Sequence, residues 1–202
     1  MRLKSKTKNN VFNFLNQSVR HFREIGSIAP DSSMCINTLV NSIPFSTAGL
    51  IIEYGAGSGA VTGEILSRKE PESRFICFEK NKTFYNTLRK NVNGPNFFIV
   101  NDDVFNSRNI LFLKFGLHLA SVDCIISTLP WSLLKFEDLL SNVILPLLKE
   151  DGLFIQYMYT SSVLKGNVLR PILNRYFTGI DLEFVLFNIP PVLVYTCRGI
   201  KK

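Results

Sequence analysis

No apolar run in this 202-residue chain is long enough to cross a bilayer. Lys114 and His118 break the run 110–126, and Asn188, Pro190 and Pro191 break 182–197. A secretory signal is not expected either, because the basic start is not followed by a continuous apolar core. Histidine is scarce, with His21 and His118 far apart. The cysteines at 35, 77, 124 and 197 form no CxxC pair and no Cys/His ligand spacing. No metal site is therefore expected, and the thiols read as reduced, packed side chains of a cytoplasmic protein. Charged residues are only 19% of the chain, and acidic ones are nearly missing from its first 25 residues.

What is present is grease and an uneven positive charge. Apolar residues make up 46% of the chain and phenylalanine occurs 17 times, enough for one well-packed domain. Of the formal net charge of +7, most sits at the start: Arg2, Lys4, Lys6, Lys8, Arg20 and Arg23 face Glu24 alone. Such a patch suits an anionic partner, a membrane surface or a nucleic acid, unless it is only a solvated tail. Phe12, Leu15, Val19 and Phe22 recur at helical spacing, so 11–25 reads as an amphipathic helix ended by Gly26 and Pro30. Residues 1–32 are assigned to this basic helix and a lid, and 33–202 to the main domain.

After a short helix over 33–43, strands and helices alternate. Strands are expected over 48–54, 74–79, 97–100, 122–127, 152–159, 182–189 and 192–197. Helices are expected over 60–69, 82–92, 107–117, 133–148 and 162–176. The alternation predicts a mostly parallel α/β sheet covered on both faces. Ile189-Pro190-Pro191 is too short for a crossover helix, so the last two strands must be antiparallel.

The sharpest motif is Leu50-Ile51-Ile52-Glu53-Tyr54-Gly55-Ala56-Gly57-Ser58-Gly59. An apolar strand enters a glycine turn, and a helix opens near Ala60. Glycine permits positive φ and close approach of a ligand to the backbone. The spacing departs from the G-x-G-x-x-G of dinucleotide enzymes. Glu79, beside Lys80, ends the second strand 20 residues beyond Gly59, where a carboxylate can accept two ribose hydroxyls. Asp102 and Asp103 follow the third strand, where either also suits the N-cap of a turn. Ser127-Thr128-Leu129-Pro130-Trp131 follows the fourth. Strand ends in an open α/β sheet converge on one crevice.

The glycine turn resembles the first motif of methyltransferases, and five β-α units followed by an antiparallel hairpin resemble the outline of their Rossmann-like fold, seven strands with an antiparallel C-terminal strand. That resemblance implies S-adenosylmethionine as the cofactor. Its amino-acid part would meet Glu53, Gly55, Ala56, Gly57 and Gly59, its ribose Glu79 and Lys80, and its adenine Asp103 or Asp102, with Ser127 nearby. The chain as a whole resembles the bacterial phospholipid N-methyltransferases. The matching segments are Phe22–Pro30, Glu53–Gly59, Ser127–Pro130, Phe154–Tyr157 and Asn188–Pro191. Asp102 departs from that pattern, as does Trp131.

The resemblance implies stepwise methylation of phosphatidylethanolamine toward phosphatidylcholine, or of another amino-lipid, at the inner face of the membrane. Thr128, Leu129 through its carbonyl, Trp131, Tyr157 and Tyr159 are the candidate amine contacts. Arg23, Lys165, Arg170 and Arg198 are candidates for the lipid phosphate. The segments 26–31 and 188–191 are expected over the cofactor and beside the headgroup. An RNA adenine dimethyltransferase shares the fold and a Leu-Pro-aromatic motif, but that family carries a further helical domain, so no nucleic-acid partner is expected. A small-molecule methyltransferase and a binding protein without turnover are the remaining alternatives.

Overall fold

Leu50–Tyr54 (β1) is buried at every position, the pattern of a central strand covered on both faces. The computed structural model describes residues 33–130, 135–160, 169–186, 188 and 191–201. The helix expected over 11–25, the lid over 26–31 and the division after residue 32 lie outside them.

The described chain opens with α1 (Ser33–Asn41) and β1, then alternates. There follow α2 (Ala60–Arg68), β2 (Arg74–Phe78), α3 (Lys82–Asn91), β3 (Phe97–Val100), a 3-10 turn (Val104–Asn106), α4 (Ser107–Phe115) and β4 (Val122–Ser127). Next come α5 (Phe136–Leu139), which runs on through a π-helical turn (Leu140–Ile144) and a last turn (Leu145–Leu147), then β5 (Leu148–Tyr159). Last are α6 (Arg170–Tyr176), β6 (Phe177–Val185) and β7 (Val192–Ile200).

The seven strands lie in the order β3-β2-β1-β4-β5-β7-β6. β1 to β5 are mutually parallel, and β7 runs antiparallel to both β5 and β6. This is the Rossmann-like methyltransferase sheet, as the alternation and the short Pro-Pro hairpin predict. Strand order reverses between β1 and β4, and ligands of open α/β sheets bind at the C-terminal strand ends beside such a switch point.

Apolar side chains pack on both faces. Ile52, Tyr54, Phe78, Ile125, Phe154 and Leu140 share one core, and Ile51, Ile65, Cys77, Ile126, Ile155 and Val194 the other. Cys35, Cys77, Cys124 and Cys197 are free, buried thiols, and burial pushes the Cys77, Cys124 and Cys197 thiols upward. Asn81 caps α3 by accepting the Thr83 and Phe84 N–H groups, and Gly116 ends α4 in the left-handed region.

Two strands start four or more residues earlier than expected, and β6 ends at Val185 rather than 189 while β7 runs on to Ile200. β6 begins at Phe177, directly after α6, rather than at 182. Gly179 and Asp181 mask it in the sequence because both are poor strand formers, yet backbone pairing with β7 and an Asp181–Arg198 ion pair hold it there. β5 begins at Leu148 rather than 152, with an irregular register against β4 between Val122 and Cys124.

Candidate functional site

The glycine turn carries the strain that only glycine tolerates. Gly55, Gly57 and Gly59 have φ of 86°, 52° and 89°. A Cβ on Gly55 would stand 2.8 Å from Leu129 Cδ2, so the turn and the loop after β4 touch without room for a side chain. Thr128 Oγ1 donates to the Gly55 carbonyl at 2.7 Å and locks the two loops together.

Glu53 is fully buried at the root of this turn. Its Oε2 accepts the Thr62 hydroxyl of α2 at 2.7 Å. Its Oε1 has no hydrogen-bond partner among the described residues. Desolvation pushes the carboxyl up to about 7, with the Thr62 bond opposing and the Glu79 charge adding slightly. An unpartnered buried carboxylate oxygen is an acceptor in want of a cationic or N–H donor.

Glu79, just past β2, reaches the same turn. One oxygen accepts the Gly57 N–H at 2.8 Å and the other the Asn81 N–H at 2.6 Å. Burial raises its carboxyl above the ordinary range, against these backbone donors. Asn101, after β3, donates to the Glu79 and Lys80 carbonyls at 2.8 and 3.1 Å and ties the second and third strand ends. Lys80 pairs with Asp103 at 2.7 Å. Asp103 accepts the Phe105 N–H and caps the 3-10 turn, the structural role that the sequence left open for it. Asp102 accepts from the Asp103 N–H and the Asn106 amide, and these bonds hold its carboxyl below the usual range.

The structure therefore joins Glu53, Gly55, Ala56, Gly57 and Gly59 with Glu79, and Lys80 with Asp103, along successive strand ends. Ser127, the last residue of β4, is buried and takes the Leu129 N–H at 3.4 Å. Tyr157 and Tyr159, at the end of β5, meet edge to face at 4.8 Å and pack with the core that holds Cys77. Trp131 and Lys165 lie outside the described residues. Arg170 is exposed at the start of α6, and its charge reaches the Tyr195 hydroxyl. Arg198 is a correction: β7 runs antiparallel, so the Asp181–Arg198 pair sits toward the sheet end opposite the crevice and not beside a headgroup. Asn188 is buried and Pro191 accepts from Thr160, at the crevice end of the sheet.

Two residues to which sequence reasoning gave no role belong here, although Gln156 lies in the matching segment Phe154–Tyr157. Thr62 carries no sequence signal beyond its place in the helix after the turn. Gln156 does carry one, as the single amide in the apolar run of β5. Its Nε2 donates to the Leu129 and Tyr157 carbonyls at 3.1 and 2.6 Å.

No family model matches the chain. An ornithine lipid N-methyltransferase from Singulisphaera acidiphila is 31% identical over 194 residues, 95% of this chain and 97% of that protein. A ribosomal RNA small subunit methyltransferase A from Ureaplasma urealyticum is 38% identical over only 68 residues, 34% of this chain and 23% of that protein. A solved S-adenosylmethionine-dependent O-methyltransferase from Thermotoga maritima superposes with a TM-score of 0.61 at 11% identity, covering 90% of this chain and 71% of that one.

Proposed function

The chain belongs to the family of the Singulisphaera N-methyltransferase, and on that footing we propose that it methylates the headgroup amine of an amino-lipid. S-Adenosylmethionine is the donor in this reading, and it brings an electrophilic methyl group on a sulfonium. The observation that carries the reading is the end-to-end likeness to an enzyme of stated lipid substrate. The RNA enzyme matches about a third of the chain, which gives no comparable support to an RNA substrate.

The residues fit that donor. At Gly57, in the left-handed region, a Cβ would meet only the Gly55 carbonyl, at 3.8 Å, so this is where a ligand can approach the turn's backbone. The unpartnered Glu53 Oε1 is the acceptor that an α-ammonium would satisfy. Glu79 sits where ribose hydroxyls would add to its backbone donors, since each carboxylate oxygen takes two hydrogen bonds. Asp102 and Asp103 are the adenine-side candidates, with Lys80 holding Asp103.

On the acceptor side, Thr128 and the Leu129 carbonyl border the turn, within reach of the same crevice. The amine must present a lone pair, and an alkylammonium has a pKa of about 10.4, so neutralising it at pH 7 costs roughly 4–5 kcal/mol. Desolvation beside the donor's cationic sulfonium would lower that cost by disfavouring the ammonium. Tyr157, Tyr159 and Trp131 are the aromatic candidates for holding the methylated product.

A lipid acceptor also suits the rim. Leu182 and Phe184 of edge strand β6, and Leu186 just after it, are exposed, Phe184 at 58%. Among the described residues no helix is long and apolar enough to cross a membrane. In this reading the enzyme works from the membrane surface, with anionic lipid as its partner. The family relative favours an ornithine-type lipid over phosphatidylethanolamine as the first substrate to try.

The test is incubation with methyl-labelled cofactor and vesicles holding ornithine lipid, phosphatidylethanolamine or neither, beside an RNA arm. Label in the lipid phase supports the proposal, and the lipid that takes it names the substrate. Label only in RNA, or only in water-soluble metabolites, overturns it.

A further inference from the structure

We propose that Gln156 is a positioning residue for the methyl acceptor, acting by fixing the Leu129 carbonyl that receives the amine N–H. The inference rests on the amino-lipid reading above.

Gln156 lies in β5 level with Ser127 of β4, and no part of it is exposed. Both groups facing its Nε2 are carbonyls, Leu129 at 3.1 Å and Tyr157 at 2.6 Å. Turning the amide over would set oxygen against oxygen, so the assignment of nitrogen follows from its neighbours. Its Oε1 is buried without a hydrogen-bond partner among the described residues. A methionine or leucine would fill the same space without desolvating an acceptor, so packing gives no reason for an amide here.

The Leu129 carbonyl gives one. It follows β4 in a loop, outside the strand ladder. The next residue is Pro130, which has no N–H with which to fasten the loop. Among the described residues the Leu129 N–H makes a single long bond, 3.4 Å to Ser127. Gln156 therefore supplies the short-range tether on the carbonyl side, from a strand held on both edges by β4 and β7. A carbonyl oxygen has two lone pairs. One is held by Nε2, and among the described residues no other donor takes the second, which would serve an amine N–H and turn the nitrogen lone pair toward the donor methyl. Methyl transfer needs that alignment, whereas binding of the cofactor at Glu53 and Glu79 does not.

The experiment uses the full chain with Gln156→Met and Gln156→Glu, mixed micelles of the amino-lipid that the wild type methylates, and S-adenosylhomocysteine as the binding probe. We expect kcat to fall about tenfold to a hundredfold in Gln156→Met, the scale of a misplaced reacting group. Affinity for S-adenosylhomocysteine and Tm should stay near wild type. Gln156→Glu should lose activity at alkaline pH and regain part of it, relative to wild type, as pH falls. A buried carboxyl there takes up a proton readily and can then donate to Leu129. Unchanged kcat in Gln156→Met overturns the inference, as does a loss matched by equal losses of probe affinity and Tm. A wild type that methylates no amino-lipid overturns the underlying reading, and this one with it.

Discussion

The Glu79 carboxylate accepts the Gly57 N–H at 2.8 Å, so the end of β2 fixes the glycine turn that follows β1. One side chain thus shapes the turn and, in the proposed function, meets the ribose. Glu79→Ala should weaken S-adenosylhomocysteine binding by about 1–3 kcal/mol, tenfold or more, because a desolvated hydroxyl pair loses its acceptor. Calorimetric titration measures it. Unchanged affinity in a folded variant removes Glu79 from the cofactor site.

Glu53 gives a pH prediction with a definite sign. Its carboxyl is raised from 4.5 to about 7 by burial, so between these values the folded chain holds a proton that the unfolded chain has released. That contribution to stability is complete below 4.5 and is lost as pH rises through about 7, up to about 3 kcal/mol in all. Glu53→Gln mimics the protonated form and should lack this fall in Tm between pH 5 and 8. An α-ammonium beside Oε1 would favour the carboxylate, so cofactor binding near pH 7 should release a proton and tighten as pH rises. Titration in buffers of different ionisation heat reads that release. Absence of proton release in the wild type separates Glu53 from the ligand.

Gly55 couples the donor and acceptor loops through lack of a side chain. Gly55→Ala meets the left-handed backbone, costing about 1–2 kcal/mol, and sets a Cβ against Leu129 Cδ2. Tm should drop and the Leu129 loop should shift, lowering kcat beyond the loss of stability. Thr128→Val is the gentler partner: it keeps shape, removes the 2.7 Å bond to the Gly55 carbonyl, and should lower kcat about fivefold, near 1 kcal/mol. A Thr128→Val enzyme with wild-type kcat shows that this tether does not serve turnover.

The directions of the strands were legible because each signal was local, whereas their spatial order, with β7 between β5 and β6, was not. Apolar runs at β1 and β4 end in Gly55 and Ser127, and Pro190-Pro191 leaves no room for a crossover. The glycine turn and Glu79 were legible because their chemistry sits at fixed offsets from strand ends. What was hidden depends on partners distant in sequence. Thr62 matters only because Glu53 points at it. Gln156 matters through a carbonyl 27 positions away. Arg198 read as a headgroup contact until the antiparallel run of β7 carried it to the other end of the sheet. β6 was misplaced because its first half is held by pairing with β7 rather than by its own residue preferences.

The last prediction concerns residues 11–25, whose sequence reads as an amphipathic helix suited to an anionic membrane. Phe12, Leu15, Val19 and Phe22 form one stripe, flanked by Val11 and Phe14, with Arg20 and Arg23 on the other side. Full burial of one such apolar side chain is worth about 1.5–3 kcal/mol, and interfacial burial less. Each basic residue adds about 1 kcal/mol near an anionic surface. Together these exceed the ordering cost of a short helix that is marginal alone in water. Full-length protein should therefore sediment with anionic vesicles, and less at high salt, where screening weakens the basic contribution. Phe12→Ser with Phe22→Ser should reduce sedimentation at every salt concentration, whereas Arg20→Gln with Arg23→Gln should remove mainly its salt dependence. Both variants should keep the Tm of the main domain. Equal sedimentation of all three proteins, or a wild type that ignores anionic vesicles, means that the stripe packs on protein and not on lipid.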